Sequence, residues 1–406
     1  MPRDPEKAAA KAGATEWQLP HVDSGVLWAV SQGSYYDPHG VLGQHEVWPD
    51  GHSETVNVIR VLRPLAEEVT AVLSTGARIS LSHREHGIWE GGHVLGFLDY
   101  QVETRYADGQ VWTADDPYRF APTVGELDLH LIREGRHERL WEALGARYIQ
   151  HAGVTGGVTG TAFAVWAPNA QAVRVMGTFN GWNGTAHAMR SLGSSGVWEI
   201  FVPDVHPGAI YKFQILTKAG HWVERADPMA RQTECPPLTG SVVGHSSFEW
   251  SDGEWITQRT KTAQHAAPMS IYELHVGSWR PGLSYRELAD DLIGHVQHLG
   301  FTHVEFMPLA EHPYGPSWGY QVTGYYAPTA RFGDPDDLKY LINRLHEAGI
   351  GVLVDWVPGH FPKDEWALGR FDGQPLYEHA DPRRGDHPDW GTYIFDFGRN
   401  EVRNFL

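Results

Sequence analysis

From residue 21 to residue 250 the apolar positions alternate or come in short runs, with Gly and Pro between them. That is the pattern of short β-strands. Val56-Asn-Val-Ile-Arg-Val-Leu62 and Leu98-Asp-Tyr-Gln-Val-Glu-Thr104 are runs of this kind, as are Thr161-Ala-Phe-Ala-Val-Trp166 and Ala172-Val-Arg-Val-Met176. In Tyr211-Lys-Phe-Gln-Ile215 the residues Tyr211, Phe213 and Ile215 share one face, and Lys212 and Gln214 the other. At Met269 the period changes. Ser270-Ile-Tyr-Glu-Leu-His-Val276 reads as a strand, and an amphipathic helix follows over residues 285–299, with Leu288, Leu292, Val296 and Leu299 on one stripe and Gly300 as its stop. Thr302-His-Val-Glu-Phe-Met-Pro308 is the next strand. A second helical stripe (Leu338, Leu341, Ile342, Leu345) ends at Gly349. The apolar run Gly351-Val-Leu-Val354 suits a strand buried on both faces, closed by Pro358-Gly359. Parallel strands joined by helices predict an α/β barrel or a doubly wound sheet.

The strand-rich region reads as two copies of one design. The first has Arg63-Pro64, Gly87-Ile-Trp-Glu90, Trp112 and Asp116-Pro117. The second has Ala167-Pro168, Gly196-Val-Trp-Glu199, Trp222 and Asp227-Pro228 in the same order. The expected architecture is multidomain: two immunoglobulin-like β-sandwich domains over 21–125 and 145–250, then a partial (β/α)8 TIM barrel of about three strands over 268–406. Residues 126–144 and 251–267 read as linkers, partly helical, and residues 1–20 as a disordered polar tail.

The chain has 406 residues and a net charge of −18. Phosphate binding needs a basic face, so neither nucleic acid nor an anionic membrane is an expected partner. No run is long and apolar enough for a membrane span, and no secretory core is present at the start. The single cysteine, Cys235, allows no internal disulfide and fits a reducing, cytoplasmic setting. The histidines show no metal-ligand spacing, and Gly-x-Gly-x-x-Gly, Walker-type and Gly-x-Ser-x-Gly motifs are absent, so no metal or cofactor is expected. The 17 tryptophans exceed what a core alone needs, and flat rings stack on the apolar faces of pyranoses.

Barrel chemistry sits at the C-terminal ends of strands. The long loop from Leu309 to Pro335 offers Trp318, Tyr320, Tyr325 and Tyr326 beside His312 and Gln321. The loop after the third strand adds Asp355 and His360. Tyr320, Asp355 and His360 are expected to converge on one sugar unit. A loop-bonded histidine and a capping carboxylate are the structural alternatives for His360 and Asp355. Glu273, Glu305 and His275 fall within strands and read as packed, hydrogen-bonded residues. In the second sandwich, Gly177-Thr-Phe-Asn-Gly-Trp-Asn183 is a turn that presents Trp182. With outward Lys212 and with Trp222 it makes a candidate stacking platform, or else Trp182 caps the sandwich and Trp222 packs on the Asp227-Pro228 turn.

Asp355-Trp-Val-Pro-Gly-His360 resembles the first signature region of the α-amylase superfamily (glycoside hydrolase family 13). Residues 317–333 and Leu376-Tyr-Glu-His-Ala-Asp-Pro-Arg383 resemble bacterial 1,4-α-glucan (glycogen) branching enzymes in particular, and Phe179-Asn-Gly-Trp182 resembles their glycogen-binding module. The resemblance implies retaining glycosyl transfer, which cleaves an α-1,4 linkage and rebuilds it on a 6-hydroxyl of glycogen. It also implies that Tyr320 stacks on the glucose at the cleavage point, that His360 bonds it, and that Asp355 braces the site. Trp318 and Gln321 join them as substrate-binding candidates, with Trp182, Lys212 and Trp222 in the module. The family's nucleophile lies within a Gly-x-Arg-x-Asp segment, which does not occur in these residues, nor does its acid/base glutamate. The expectation is a truncated polypeptide, inactive alone. A non-catalytic glucan-binding fragment and a debranching or trehalose-releasing hydrolase are the competing readings.

Overall fold

The computed structural model describes residues 19–49, 55–151, 157–263 and 265–406. The expected polar tail falls, over residues 1–18, outside them. Two compact units emerge: Met1–Arg133 with Tyr148–His206 and Phe213–Val223, and Glu134–Arg147 with Pro207–Lys212 and Glu224–Leu406.

The first sheet contains β1 (Gly43–Val47), β2 (Val56–Leu62), β3 (Ala66–Leu73), β4 (Arg78–His83), β5 (Ile88–His93), β6 (Tyr100–Tyr106) and β7 (Val111–Asp115), in the order β1-β2-β5-β4-β3-β6-β7. It is antiparallel, and β2 to β6 share one core of Ile59, Val61, Val69, Leu81, Trp89 and Val102. The strand expected at Leu98 starts instead at Tyr100. Asp99 still bonds across to the end of β3, its carbonyl accepting from the Ser74 N–H at 2.7 Å.

The second sheet contains β8 (Gly145–His151), β9 (Val158–Trp166), β10 (Ala172–Gly177), β11 (Ala188–Ser191), β12 (Val197–Pro203), β13 (Ile210–Leu216) and β14 (Trp222–Arg225), in the order β14-β13-β10-β11-β12-β9-β8, with β15 (Ser241–Val242) paired to β13. Tyr211, Phe213 and Ile215 are fully buried, as their alternation requires.

Read strand for strand, the two orders are the same, and the repeated words make the same bonds. Trp89 Nε1 donates to the Arg63 carbonyl at 3.1 Å and Trp198 Nε1 to that of Ala167 at 3.0 Å. The Tyr100 hydroxyl reaches Asp116 at 2.5 Å, and that of Tyr211 reaches Asp227 at 2.6 Å. Glu90 and Glu199 each pair with an arginine, but from opposite neighbouring strands: Arg60 of β2 and Arg190 of β11. Gly87 and Gly196 both take positive φ, +78° and +73°, and a Cβ on either would stand 2.9 Å from the Cα of Pro64 or Pro168. The two β-sandwich domains are thus two curled copies of one antiparallel sheet.

In the second unit β16 (Ile271–Leu274), β17 (His303–Phe306) and β20 (Gly351–Val354) form a parallel sheet in the order β16-β17-β20. Between β17 and β20 lies the short pair β18 (Ala310–Glu311) and β19 (Gly324–Pro328). The helix Tyr285–Leu299 runs where its stripe predicts. Ser284 and Glu287 cap it reciprocally, and Gly300 ends it in the left-handed conformation. The helix Pro335–Glu347 is closed in the same way by Asp334 and Asp337. Both helices bury their apolar stripes with Leu274, Val304, Phe306 and Ile350 in one core. These are the opening strands and helices of the expected barrel-type domain. Among the described residues no helix is long and apolar enough to cross a membrane.

Candidate functional site

The site candidates stand at the C-terminal ends of β17 and β20. Asp355 follows β20 directly, and its backbone N–H bonds the Phe306 carbonyl at 3.1 Å, so the parallel ladder itself fixes its position. Tyr320 comes from the loop between β18 and β19. Gly319, at φ +93°, turns the chain there, and a Cβ on it would meet the Pro308 carbonyl oxygen at 2.7 Å. The Tyr320 hydroxyl donates to Asp355 Oδ2 at 2.7 Å. That bond, followed by burial and the charges of Asp355, Glu273 and Glu305, pushes the phenol up to about 12. Asp355 therefore orients an aromatic ring rather than capping a turn.

The loop that carries Tyr320 is itself held from below. Buried Glu311 accepts from Arg331 at 2.7 Å, from the backbone N–H groups of His312 at 2.9 Å and Ala330 at 2.8 Å, and from Thr233 at 3.2 Å. Tyr325 ties the two loops together, its hydroxyl donating to the carbonyls of Val357 at 3.1 Å and His360 at 3.0 Å.

His360 begins β21 (His360–Phe361) and is 7% exposed. Its Nδ1 is buried and finds no hydrogen-bond partner among the described residues, so that nitrogen is not spent on a loop carbonyl. Burial, with the charge of His387, pushes its imidazole below the ordinary histidine value. Its ring lies 4.6 Å from that of Trp390, which stacks on His387 at 4.4 Å. The structure joins Tyr320 to Asp355 by a direct bond, whereas the contacts of His360 are with this second aromatic pair. Trp390 and His387 went unnoticed in the sequence, because nothing in their spacing ties them to residue 360. Trp318 is 64% exposed and Gln321 is exposed.

The expectation that Glu273 and Glu305 are packed and hydrogen-bonded is corrected. Glu273 is exposed and Glu305 half-buried, and the two are direct register partners on the face that also leads to Leu353. The apolar side of each strand faces the helices, which leaves the acidic side outward. His275 lies one residue beyond β16, where its Nδ1 is 2.9 Å from the Ser278 hydroxyl.

In the second sheet the Gly/Asn turn does present Trp182, 40% exposed, after Asn180 bonds back to the Gly177 N–H at 2.9 Å. Trp222 is half-buried, and the Arg174 guanidinium lies over its ring at 3.9 Å from the centroid. Lys212 donates to the Thr239 hydroxyl at 2.6 Å. One face of Trp222 and one donor direction of Lys212 are thus already occupied.

Three family models match in the order of these elements: the alpha-1,4-glucan branching enzyme GlgB N-terminal domain over residues 23–118, carbohydrate-binding module 48 (isoamylase N-terminal domain) over 143–230, and the alpha amylase catalytic domain over 290–375. The chain is 66% identical over 402 residues to the 1,4-alpha-glucan branching enzyme GlgB of Leifsonia xyli subsp. xyli, covering 99% of this chain and 53% of that protein. It is 57% identical to GlgB 2 of Streptomyces coelicolor, covering 100% of this chain and 53% of that one. It is 59% identical to GlgB of Thermobifida fusca, covering 93% and 50%. The chain spans about half the length of the curated relatives it matches. By its sequence and by the order of its domains, the chain is similar over its whole length to bacterial 1,4-alpha-glucan branching enzymes GlgB.

Proposed function

We propose that these residues carry the glucose-holding rim of a 1,4-alpha-glucan branching enzyme, which cleaves an α-1,4 linkage and passes the freed segment to a 6-hydroxyl. The observation that carries the reading is the 2.7 Å bond from Tyr320 to Asp355. A ring locked in that way offers a fixed face to the apolar side of a pyranose. The hydroxyl, raised to about 12, stays protonated at neutral pH and keeps donating to Asp355. His360, neutral at pH 7, bonds a hydroxyl of the same glucose, while exposed Trp318 and Gln321 contact the chain beyond it. In the second sheet, Trp182, Lys212 and Trp222 hold glucan away from the reacting bond. The domains run over 21–125, 145–250 and 268–406, and the setting is cytoplasmic.

Retaining transfer needs two carboxylates about 5–5.5 Å apart. Asp355 is not assigned as one of them: the family resemblance gives its position a bracing role, and it is joined to Tyr320 at 2.7 Å. The nucleophile is assigned to a Gly-x-Arg-x-Asp segment, which these 406 residues do not contain. The 406 residues by themselves should bind α-1,4-glucan and form no branches. Incubation with amylose, followed by iodine colour, tests the second half; new α-1,6 linkages from this chain alone would overturn it. Calorimetric titration with maltoheptaose tests the first. Binding that is unchanged by Tyr320→Ala would remove Tyr320 from the site.

A further inference from the structure

His360 belongs to a small antiparallel sheet in which β21, β22 (Asp386–His387) and β23 (Thr392–Ile394) run in the order β21-β23-β22. His360 lies opposite Ile394, and His387 opposite Thr392. Direct cross-strand partners share a face, and so do residues two apart on one strand. His360, His387, Thr392 and Ile394 therefore stand on one side of the sheet. The other side carries Phe361 opposite Tyr393, with the Phe361 ring packed on that of buried Phe395 at 4.5 Å. Between β22 and β23 the chain turns at Gly391, whose φ is +66° and whose N–H bonds the His387 carbonyl at 2.8 Å. Trp390, next to that glycine, lays its ring on His387, 4.4 Å away and 4° from parallel.

We infer that Trp390 is a positioning residue: backed by His387, it holds the His360 imidazole in the orientation that meets glucose. An imidazole turns easily about the bond to its Cβ, so a hydrogen bond or a packed neighbour has to set its angle. No side-chain hydrogen bond does so here. Nδ1 of His360, Nδ1 of His387 and Oγ1 of Thr392 are all buried with no partner among the described residues. What His360 has is rings, Trp390 at 4.6 Å and His387 at 6.1 Å. Its backbone carbonyl is held separately, by the Tyr325 hydroxyl at 3.0 Å. The main chain of His360 is thus fixed by one aromatic residue and its side chain by another.

The same burial chooses a tautomer. A shut-in N–H without an acceptor is costlier than a shut-in lone pair, so Nδ1 is the bare nitrogen and Nε2 carries the proton. With Nδ1 enclosed, Nε2 is also the nitrogen left to meet a glucose hydroxyl, and it meets it as a donor.

This role rests on the reading of His360 as a glucose contact, and the readouts separate the two. The 406-residue chain, isotope-labelled at its histidine nitrogens, is followed by NMR as wild type, Trp390→Ala and Trp390→Phe, with His360→Gln to assign the signals. Trp390 is 58% exposed, so Trp390→Ala empties no core, and its melting temperature should stay close to wild type. The wild type should show two well-separated His360 ring signals, one from a bare nitrogen and one from a protonated one. In Trp390→Ala the ring loosens and water reaches Nδ1, so both tautomers fill and the signals should draw together. Trp390→Phe keeps a flat ring and should keep them apart. Titration with maltoheptaose, read at the His360 signals themselves, should give an affinity about 3–10-fold lower for Trp390→Ala. His360 signals in Trp390→Ala that match wild type overturn the role, and so does an unchanged affinity. Signals that draw together equally in both Trp390 variants would mean that a stacked ring is not what holds the imidazole, and would overturn it too. If maltoheptaose leaves the His360 signals in place even in the wild type, the glucose rim falls, while the spectra without ligand still decide whether Trp390 holds the ring.

Discussion

Tyr320 and Asp355 meet through one hydrogen bond of 2.7 Å, although 35 residues separate them in the chain. The bond sets the angle of a half-exposed ring. Tyr320→Phe keeps the ring and loses the anchor, so maltoheptaose affinity should drop by about 0.5–1.5 kcal/mol. Tyr320→Ala should cost more, because the stacking face goes too. Calorimetry of the two variants side by side checks the order, and a Phe variant weaker than the Ala variant would contradict it.

The loop beneath that ring depends on Glu311, whose side chain is 4% exposed against 15% for its partner Arg331. Glu311→Ala leaves a largely buried guanidinium and two backbone N–H groups without their acceptor. We expect a loss of about 2–4 kcal/mol in the unfolding of the second unit, discounted for the partial exposure of Arg331. Glu311→Gln retains an acceptor oxygen and should lose less than half as much. Urea denaturation followed by tryptophan fluorescence measures both.

His187 makes the stability of the first unit pH-dependent. Burial, and next the Arg63 charge, pushes its imidazole down to about 4. Its Nδ1 lies 3.0 Å from the Asn180 amide, which donates to the unprotonated ring. The unfolded chain takes up a proton near the ordinary value of about 6.5, whereas the folded chain resists until about 4. Stability is therefore full above pH 6.5 and is lost as pH falls towards 4, by about 1–2 kcal/mol at pH 5. His187→Gln should flatten that slope. A variant with the wild-type slope between pH 7 and pH 5 would place the titration elsewhere.

Gly196 and Gly87 close equivalent turns against proline. Gly196→Ala sets a Cβ 2.7 Å from the Pro168 Cβ at φ +73° and should destabilise by about 2–3 kcal/mol. Gly76, at φ +85° with nothing within 4 Å, is the control, and its alanine variant should lose only about 1–2 kcal/mol. Equal melting temperatures for the two variants would show that the proline contact is unimportant.

Local order was well marked in the sequence where a single element determines it. Ser284, Glu287 and Gly300 bracket the helix Tyr285–Leu299 within a few residues of one another, and its bounds follow from them. Val56–Leu62 is likewise a strand from end to end. The repeated words at Trp89 and Trp198 pointed to two related sheets, and the matching strand orders agree. What the sequence does not carry is what lies across from a side chain. Arg174 is 48 residues from the Trp222 ring that it covers, and no local pattern announces the pair. Trp390 beside His360 is the same case. Strand position alone makes Glu273 and Glu305 look packed, but which face of a strand is covered depends on the helices laid against the other one.

Glu273 and Glu305 sit side by side on adjacent parallel strands, with Leu353 next in the row. Neighbouring strands are about 4.8 Å apart, so two like charges confront each other there and water is what keeps them tolerable. Any segment that comes to lie over that surface inherits the problem. It has to arrive with a lysine or arginine aimed at the gap, or trap solvent beside the carboxylates.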